Sequence, residues 1–209
     1  MNEISSVTFG AKYLNSVRIQ KYNKQLKKFV PYDVNFVRID GANRNDLDVL
    51  DNIAKTWSNA KYLQTIVTAA HWMDKKPDAQ IKVYAITTQR GNFDKLRPHN
   101  ILGLAEMTKD DDFENSYLLH RLQVKPEEPD RRHTKMKKYK RVGSSMLKAL
   151  KNEYDSITLY AEEGTEAFYK SNGFIEDFCG QRHFVWSLNI FKRAKIHIRS
   201  FLLKNGFVM

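Results

Sequence analysis

The sequence predicts an α/β (α+β) fold in which helices flank a mixed central sheet. Residues 117–125 and 157–161 have the composition of β-strands, and the apolar residues between them follow helical spacing, which predicts a parallel β-α-β unit. Residues 101–108 form another predicted strand, joined to residues 117–125 by a short acidic segment as in an antiparallel hairpin. Because the strand at residues 117–125 belongs to both the parallel unit and the antiparallel hairpin, the sheet is expected to be mixed.

Length and composition favour one globular domain. The chain has 209 residues, of which 42% are hydrophobic and 12% aromatic, enough to bury a sizeable core. Its one cysteine, Cys179, excludes an intramolecular disulfide and a zinc site built from several cysteines, and no metal is expected. The N-terminus lacks the pattern of a secretory signal, and no apolar run approaches the ~20 residues of a membrane span. These features predict a cytoplasmic protein.

The net charge of +11 is concentrated in a few segments. Residues 131–151 contain nine bases and no acid, and residues 181–209 contain six bases and no acid. Such clusters suggest an anionic partner, whether a phosphorylated cofactor, a nucleic acid or an acidic protein surface. The basic loop 131–141 is the main candidate for that contact. A solvated surface that aids solubility is the alternative, above all near the two chain ends.

The first part of the chain is predicted to alternate strand and helix. Residues 7–30 suit an added strand or a hairpin, a choice that periodicity does not decide. Pro31 is expected to interrupt the chain before a strand at residues 34–40. The next helix is capped by Asn43 or Asn45.

The remaining elements follow from the same patterns. A second helix is expected at about residues 61–74, with His71 at its core or rim rather than as a ligand. Strands are expected at residues 81–88 and 184–188. The tail at residues 190–209 suits an amphipathic helix packed on the body of the protein, with a partner-binding or membrane-surface helix as the alternatives.

A glycine turn at residues 140–145 is a candidate anion site. It opens a helix, where unpaired N–H groups and the positive end of the helix dipole attract anions. Its glycine spacing excludes a Walker A loop and a dinucleotide-binding Gly-x-Gly-x-x-Gly turn. An ordinary helix start is the competing interpretation. The residues of this turn are Lys140, Arg141, Val142, Gly143, Ser144 and Ser145.

Three motifs together resemble the GCN5-related N-acetyltransferase (GNAT) superfamily: Leu122-Gln123-Val124-Lys125-Pro126, Lys140-x-x-Gly143-x-Ser145, and Phe168-Tyr169 followed by Gly173-Phe174. The family patterns are Leu-x-Val-x-Pro, Gln/Arg-x-x-Gly-x-Gly/Ala and Phe-Tyr-x-x-x-Gly-Phe. Lysine at position 140, serine at position 145 and a long loop before them depart from these patterns. The resemblance covers about residues 34–188. It implies a single GNAT-like domain over residues 1–209, with an N-terminal extension at 1–33 and a basic C-terminal tail at 189–209.

The resemblance implies acetyl-CoA as the co-substrate. In this family the strands that correspond to residues 117–125 and 156–161 splay apart, and the pantetheine arm pairs with main chain near residues 122–124. A strand N–H there also stabilises the tetrahedral oxyanion. The pyrophosphate would lie on the N–H groups of residues 142–145. Tyr169 matches the family's general acid, a neutral phenol that protonates the departing CoA thiolate.

The base that accepts a proton from the amine is less well defined by the sequence. If the predicted hairpin pairs Leu104 with Leu122, then Glu106 faces His120. A carboxylate beside an imidazole in a partly dry site is suited to deprotonating an amine. Two glutamates after the following strand are the competing candidates, Glu162 and Glu163.

The leading interpretation is an N-acetyltransferase in which an amine attacks acetyl-CoA directly within a ternary complex. The acceptor is left open among a protein, an RNA-linked amine such as charged tRNA, and a small molecule. The alternative is a non-catalytic GNAT-fold module that binds nucleic acid or an acidic protein through its basic loop and tail. Because the loop at residues 127–139 departs most from the family, substrate preference or regulation is expected there.

Overall fold

A computed structural model of the chain describes residues 10–57, 60–73, 75, 80–110, 116–126, 138–177 and 182–204. The chain forms two compact units, Met1–Glu106 with Arg121–Met146, and Met107–His120 with Leu147–Met209. The predicted α/β class is confirmed, since strands and helices alternate through both units. A single domain over residues 1–209 stays a prediction.

The described elements, in chain order, are nine strands and five α-helices, with short 3-10 turns at Phe93–Lys95 and Pro98–Asn100. They are β1 (Lys12–Asn23), β2 (Lys28–Arg38), α1 (Arg44–Thr56), α2 (Ala60–Met73), β3 (Lys82–Thr87), β4 (Ile101–Lys109), β5 (Tyr117–Val124), β6 (Tyr139–Lys140), α3 (Val142–Glu153), β7 (Ser156–Tyr160), α4 (Glu166–Ser171), β8 (Ile175–Asp177), β9 (His183–Ser187) and α5 (Ile190–Lys204).

In the first unit the strands follow the order β6-β1-β2-β3-β4-β5. A long antiparallel hairpin, β1–β2, settles the choice that periodicity left open for residues 7–30. The expected interruption at Pro31 is wrong, because Pro31 lies inside β2 opposite Gln20. The described pairing of β3 with β2 begins only at Asn35. At Pro31, one edge of β2 therefore has no described strand pairing. A sheet tolerates proline at such an unpaired edge, because proline has no N–H to donate.

The core of the first unit lies where α1 and α2 cover the sheet, and it includes the fully buried residues Leu50, Ile53, Leu63, Ile66 and Leu104. Apolar positions at helical spacing on both helices face β3 and β4, as their sequence periodicity predicts.

The N-terminus of α1 confirms one predicted cap. Asn43 Oδ1 accepts the N–H of Asp46 at 3.2 Å. The carboxylate of Asp46 is itself fully buried and accepts the N–H of Asp40 at 3.0 Å. Burial raises the pKa of Asp46 to about 7, with the carboxylates of Asp40 and Asp94 adding to the effect.

Gly41 lies between β2 and α1 and packs directly against α2. A Cβ added at Gly41 would be 2.7 Å from the Cβ of Met73 and 2.9 Å from the carbonyl oxygen of Ala70. Since backbone cannot give way cheaply, Gly41→Ala is expected to lower the free energy of unfolding by about 1–3 kcal/mol in urea titrations. The neighbouring exposed Ala42 is the control, and Ala42→Ser should change stability little. Equal stability of the two variants would contradict the close packing.

The first half of β5, up to His120, belongs to the second unit. There β5 runs parallel to β7, with Tyr117 opposite Ile157 and Leu118 opposite Thr158. With α3 between them in the chain, this confirms the predicted β-α-β unit. β9 pairs antiparallel with both β7 and β8, and the short strand β8 was not predicted.

The C-terminal tail forms the helix α5, and Phe191, Ile198 and Phe201 on it are exposed. Residues 205–209 lie outside the described residues. No helix in the described part of the chain is both long and apolar enough to cross a bilayer.

Candidate active site

The predicted phosphate-binding turn is the start of α3, which begins at Val142. The first bond of the helix runs from the N–H of Ser145 to the carbonyl of Arg141 at 2.9 Å. The N–H groups of Val142, Gly143 and Ser144 precede that bond and point out of the helix start. The set of four amides expected at residues 142–145 is therefore reduced to three, because the amide of Ser145 is used inside the helix.

The chain enters this turn along the N-terminal hairpin. β6 pairs antiparallel with β1, placing Lys140 opposite Gln20, and the N–H of Tyr22 donates to the carbonyl of Lys138 at 3.0 Å. Arg141 then adopts a left-handed φ of +64°, uncommon for a residue other than glycine, and so redirects the chain from β6 into α3.

The two residues that depart from the family pattern, Lys140 and Ser145, both contact the β1–β2 hairpin. The ammonium of Lys140 lies 4.1 Å from the centre of the Phe29 ring, a cation–π distance. The hydroxyl of Ser145 donates to the backbone carbonyl of Arg18 at 2.7 Å. Residues 1–33 fall outside the family resemblance, yet the described part of this extension holds the turn in place.

The hydroxyl of Ser145 can be tested by its effect on stability. Ser145→Ala removes a half-buried hydrogen bond. We expect the free energy of unfolding to fall by about 1 kcal/mol, as measured by urea titration. Ser144→Ala, one residue earlier on the same helix, is the matched control. Equal stability of Ser145→Ala and wild type would contradict a structural role for the hydroxyl.

Gly103 marks the point where two of the predicted cofactor segments meet. A Cβ added at Gly103 would be 3.2 Å from Val142 Cγ1, 3.4 Å from the carbonyl of Gln123 and 3.6 Å from the end of Met146. The absence of a side chain on β4 thus lets the start of α3 approach the Leu122-Gln123-Val124 segment of β5. The side-chain amide of Gln123 donates to the carbonyl of Val124 at 3.0 Å.

Glu106 lies on β4 and is 7% exposed. Its Oε2 has no hydrogen-bond partner among the described residues. Burial raises the pKa of Glu106 to about 7, although the nearby guanidinium of Arg121 opposes the shift. A carboxylate whose pKa lies near neutrality is suited to accept a proton at physiological pH.

His120 belongs to the second unit, where its Nε2 lies 2.8 Å from the hydroxyl of Thr108. The predicted pairing of Glu106 with His120 stays a prediction. Of the competing candidates, Glu163 is paired with Arg182 at 3.4 Å and its side chain is 86% exposed. Glu163 therefore lies in solvent, whereas Glu106 is buried.

Tyr169 lies on the short helix α4 within a cluster of aromatic rings. Its ring centre is 5.8 Å from that of Phe174, edge to face, and 6.2 Å from that of Phe184. The N–H of Phe174 donates to the carbonyl of Tyr169 at 3.1 Å, which closes the turn. Gly173 has a φ of +79°, a conformation that favours glycine. The Phe-Tyr-x-x-x-Gly-Phe spacing therefore builds one turn that fixes the Tyr169 ring against two phenylalanines.

The remaining predictions about single residues and the basic loop have different outcomes. His71 is a rim histidine, with Nε2 3.3 Å from Asp51 Oδ1. Residues 127–137, most of the basic loop, and Cys179 lie outside the described residues. Among the residues that the structure describes, no group of three or more ligating side chains is placed to hold a metal ion.

Sequence reasoning missed Arg18, whose carbonyl supports the turn, and Lys151, which contacts the turn after Tyr169. For Lys151 a signal was available, because a lysine occurs at the i+4 position from the buried Leu147 on the apolar side of α3. For Arg18 no local signal exists, because the interaction is made by backbone.

Comparison with known proteins relates this geometry to a fold. No known sequence family and no curated protein matches the chain. A solved protein from Exiguobacterium sp. 255-15, assigned as an acetyltransferase, is similar at 15% identity over 78% of this chain and 99% of its own, with a TM-score of 0.50. An acetyltransferase from Thermus thermophilus is similar at 11% identity over 74% of this chain and 97% of its own, also with a TM-score of 0.50. A protein from Desulfovibrio desulfuricans assigned to the GNAT family follows at 14% identity, 75% and 99% coverage and a TM-score of 0.45.

At these identities, the two likenesses with a TM-score of 0.50 show the fold alone. The chain has the fold of those two solved acetyltransferases, a mixed sheet with flanking helices, as its three motifs predicted.

Proposed function

We propose that the protein is an N-acetyltransferase that transfers the acetyl group of acetyl-CoA to an amine. The observation that supports this most strongly is the convergence at Gly103 of the Gln123 carbonyl and the first residue of α3, within a GNAT fold. This convergence provides two elements that binding of a long thioester requires. Backbone hydrogen-bonding groups lie along the end of β5, and amide donors lie at the adjacent start of a helix.

Acetyl-CoA would be held by backbone more than by side chains. The pantetheine amides would pair with residues 122–124 on the edge of β5 away from β4, since the N–H of Lys125 already donates to the Leu102 carbonyl at 2.9 Å on the other side. The pyrophosphate would accept from the N–H groups of Val142, Gly143 and Ser144. Arg141 is exposed beside them and adds positive charge.

The chemistry is a direct acyl transfer. The amine nitrogen forms a bond to the thioester carbonyl carbon, and the carbon–sulfur bond then breaks. Glu106 would take the proton that the amine loses, directly or through water, with His120 as the second candidate. Tyr169 would give its phenolic proton to the departing thiolate, and solvent would reprotonate it.

Two measurements test the proposal in sequence. Calorimetry with acetyl-CoA should show saturable binding at one site, and thiol release should then be measured with a panel of N-terminal peptides, aminoacyl-tRNA and small amines. Absence of acetyl-CoA binding would refute the proposed function. Binding without turnover on any acceptor would instead favour a module that has kept the fold and lost the chemistry.

A second candidate function is nucleic-acid binding by a non-catalytic GNAT-fold module. The exposed Lys138, Lys140 and Arg141 are the basic residues in the described part of the basic loop, and they favour this function. In that case RNA binding should persist at saturating acetyl-CoA and weaken steeply with salt. If acetyl-CoA displaces the RNA, the basic residues serve the cofactor.

A further inference from the structure

Lys151 lies in the last turn of α3 and makes two contacts to the turn that follows α4 and one to the strand β9. Its ammonium donates to the carbonyl of Asn172, the C-cap of α4. It also lies 4.5 Å from the centre of the Phe174 ring and 4.8 Å from that of Trp186. A half-buried ammonium held by one carbonyl and two aromatic faces is a defined site, since each contact favours the charged form.

The same turn orients Tyr169. Asn172 N–H donates to the Tyr169 carbonyl at 3.0 Å, as does Phe174 N–H at 3.1 Å. The Phe174 ring packs edge to face on the Tyr169 ring at 5.8 Å. Lys151 therefore contacts both the Asn172 backbone and the Phe174 ring, the two groups that hold Tyr169. A Cβ at Gly173 would come within 3.7 Å of the Lys151 ammonium, which shows how closely the turn approaches it.

We propose that Lys151 is a positioning residue for Tyr169: its ammonium fixes the Asn172-Gly173-Phe174 turn and thereby the direction of the Tyr169 hydroxyl. This inference rests on the proposed acetyl transfer, in which Tyr169 is the acid. Lys151 acts through Tyr169 and needs no contact with acetyl-CoA or the amine.

The charge of Lys151 makes the positioning sensitive to pH. Desolvation lowers the pKa of Lys151 to about 8, and Arg193 of α5 is the charged group that adds to the effect. The Lys151 amine is therefore protonated at pH values well below about 8 and loses its charge as the pH rises through about 8. On discharge the group keeps a weak hydrogen bond to Asn172 but loses its attraction to the faces of Phe174 and Trp186.

A double-mutant cycle tests the proposal. Lys151→Met keeps most of the side-chain volume and removes the charge, and should lower kcat about tenfold, because small misplacement of a reacting group is costly, with little change in KM for acetyl-CoA. In the Tyr169→Phe background the same change should have no further effect on kcat.

The pH dependence of kcat is a second test. The fall of kcat expected at about pH 8 in wild type should disappear in Lys151→Met and move to higher pH in Lys151→Arg. Lys148→Met, an exposed lysine on the same helix, is the matched control and should behave as wild type.

Additive losses in the cycle, or wild-type turnover in Lys151→Met, would overturn the inference. If wild type transfers no acetyl group, the proposed function fails, and the geometry is tested by nuclear magnetic resonance of ring-labelled tyrosine. The Tyr169 resonance, assigned by its loss in Tyr169→Phe, should shift with a midpoint at about pH 8 in wild type and show no such step in Lys151→Met. If the pH dependence of the Tyr169 resonance is the same in wild type and in Lys151→Met, the positioning role is overturned independently of activity.

Discussion

Tyr169→Phe is expected to lower kcat on the order of 10²–10⁴-fold, while calorimetry should show nearly unchanged acetyl-CoA affinity. The substitution removes the hydroxyl that would protonate the thiolate and retains the ring that packs on Phe174 and Phe184. Since the thiolate would then leave without its proton, the loss belongs to the transition state rather than to binding.

The control for this variant is Tyr160→Phe, which also removes one phenol from the second unit. Tyr160 is 52% exposed, and its ring lies against His183 rather than Phe174. Turnover of Tyr160→Phe should match that of wild type. If Tyr169→Phe also matches wild type, Tyr169 is not the acid, and its aromatic cluster is structural.

Glu106→Gln is the second change with a large expected effect. A general base must be ionised to accept a proton, and burial raises the pKa of Glu106 to about 7. In wild type kcat/KM should therefore rise with pH through about 7, and Glu106→Gln should lower kcat/KM on the order of 10²–10⁴-fold and abolish that limb. A further rise caused by deprotonation of the free amine should remain in both proteins, with the fall expected from Lys151 at about pH 8 superimposed on it.

Glu163→Gln is the matched control, because the Glu163 side chain is 86% exposed and pairs only at the surface with Arg182. Its pH profile should follow wild type. Retention of the limb at about pH 7 in Glu106→Gln would move the role of base to His120.

Much of the local structure could be predicted because it depends on neighbours in the sequence. The Asn43 cap, the amphipathic α1 and α2, and the turn at Gly173 follow from side-chain chemistry within a few residues. The parallel β5-α3-β7 unit also follows, since a strand, a helix and a strand at that spacing have few ways to pack.

The features that could not be predicted lie where distant segments meet. Pro31 is accommodated because β3 begins its described pairing with β2 at Asn35, a fact about another strand. Asp46 has the sequence of a first-turn acid, and only packing around α1 buries it. Neither outcome is visible in local propensity, because tertiary contacts override it.

The glycine turn at residues 140–145 shows what the sequence determines and what only the tertiary structure decides. The sequence by itself determined that a helix starts there, made its first amides a candidate anion site, and showed that the motifs around it resemble those of the GNAT acetyltransferases. Only the tertiary structure decided which groups remain available, since it assigns the Ser145 hydroxyl to Arg18 and the Lys140 ammonium to Phe29. The physical reason is separation along the chain. Ser145 and Arg18 are 127 residues apart, and a side chain to backbone bond at that distance leaves no pattern in either segment.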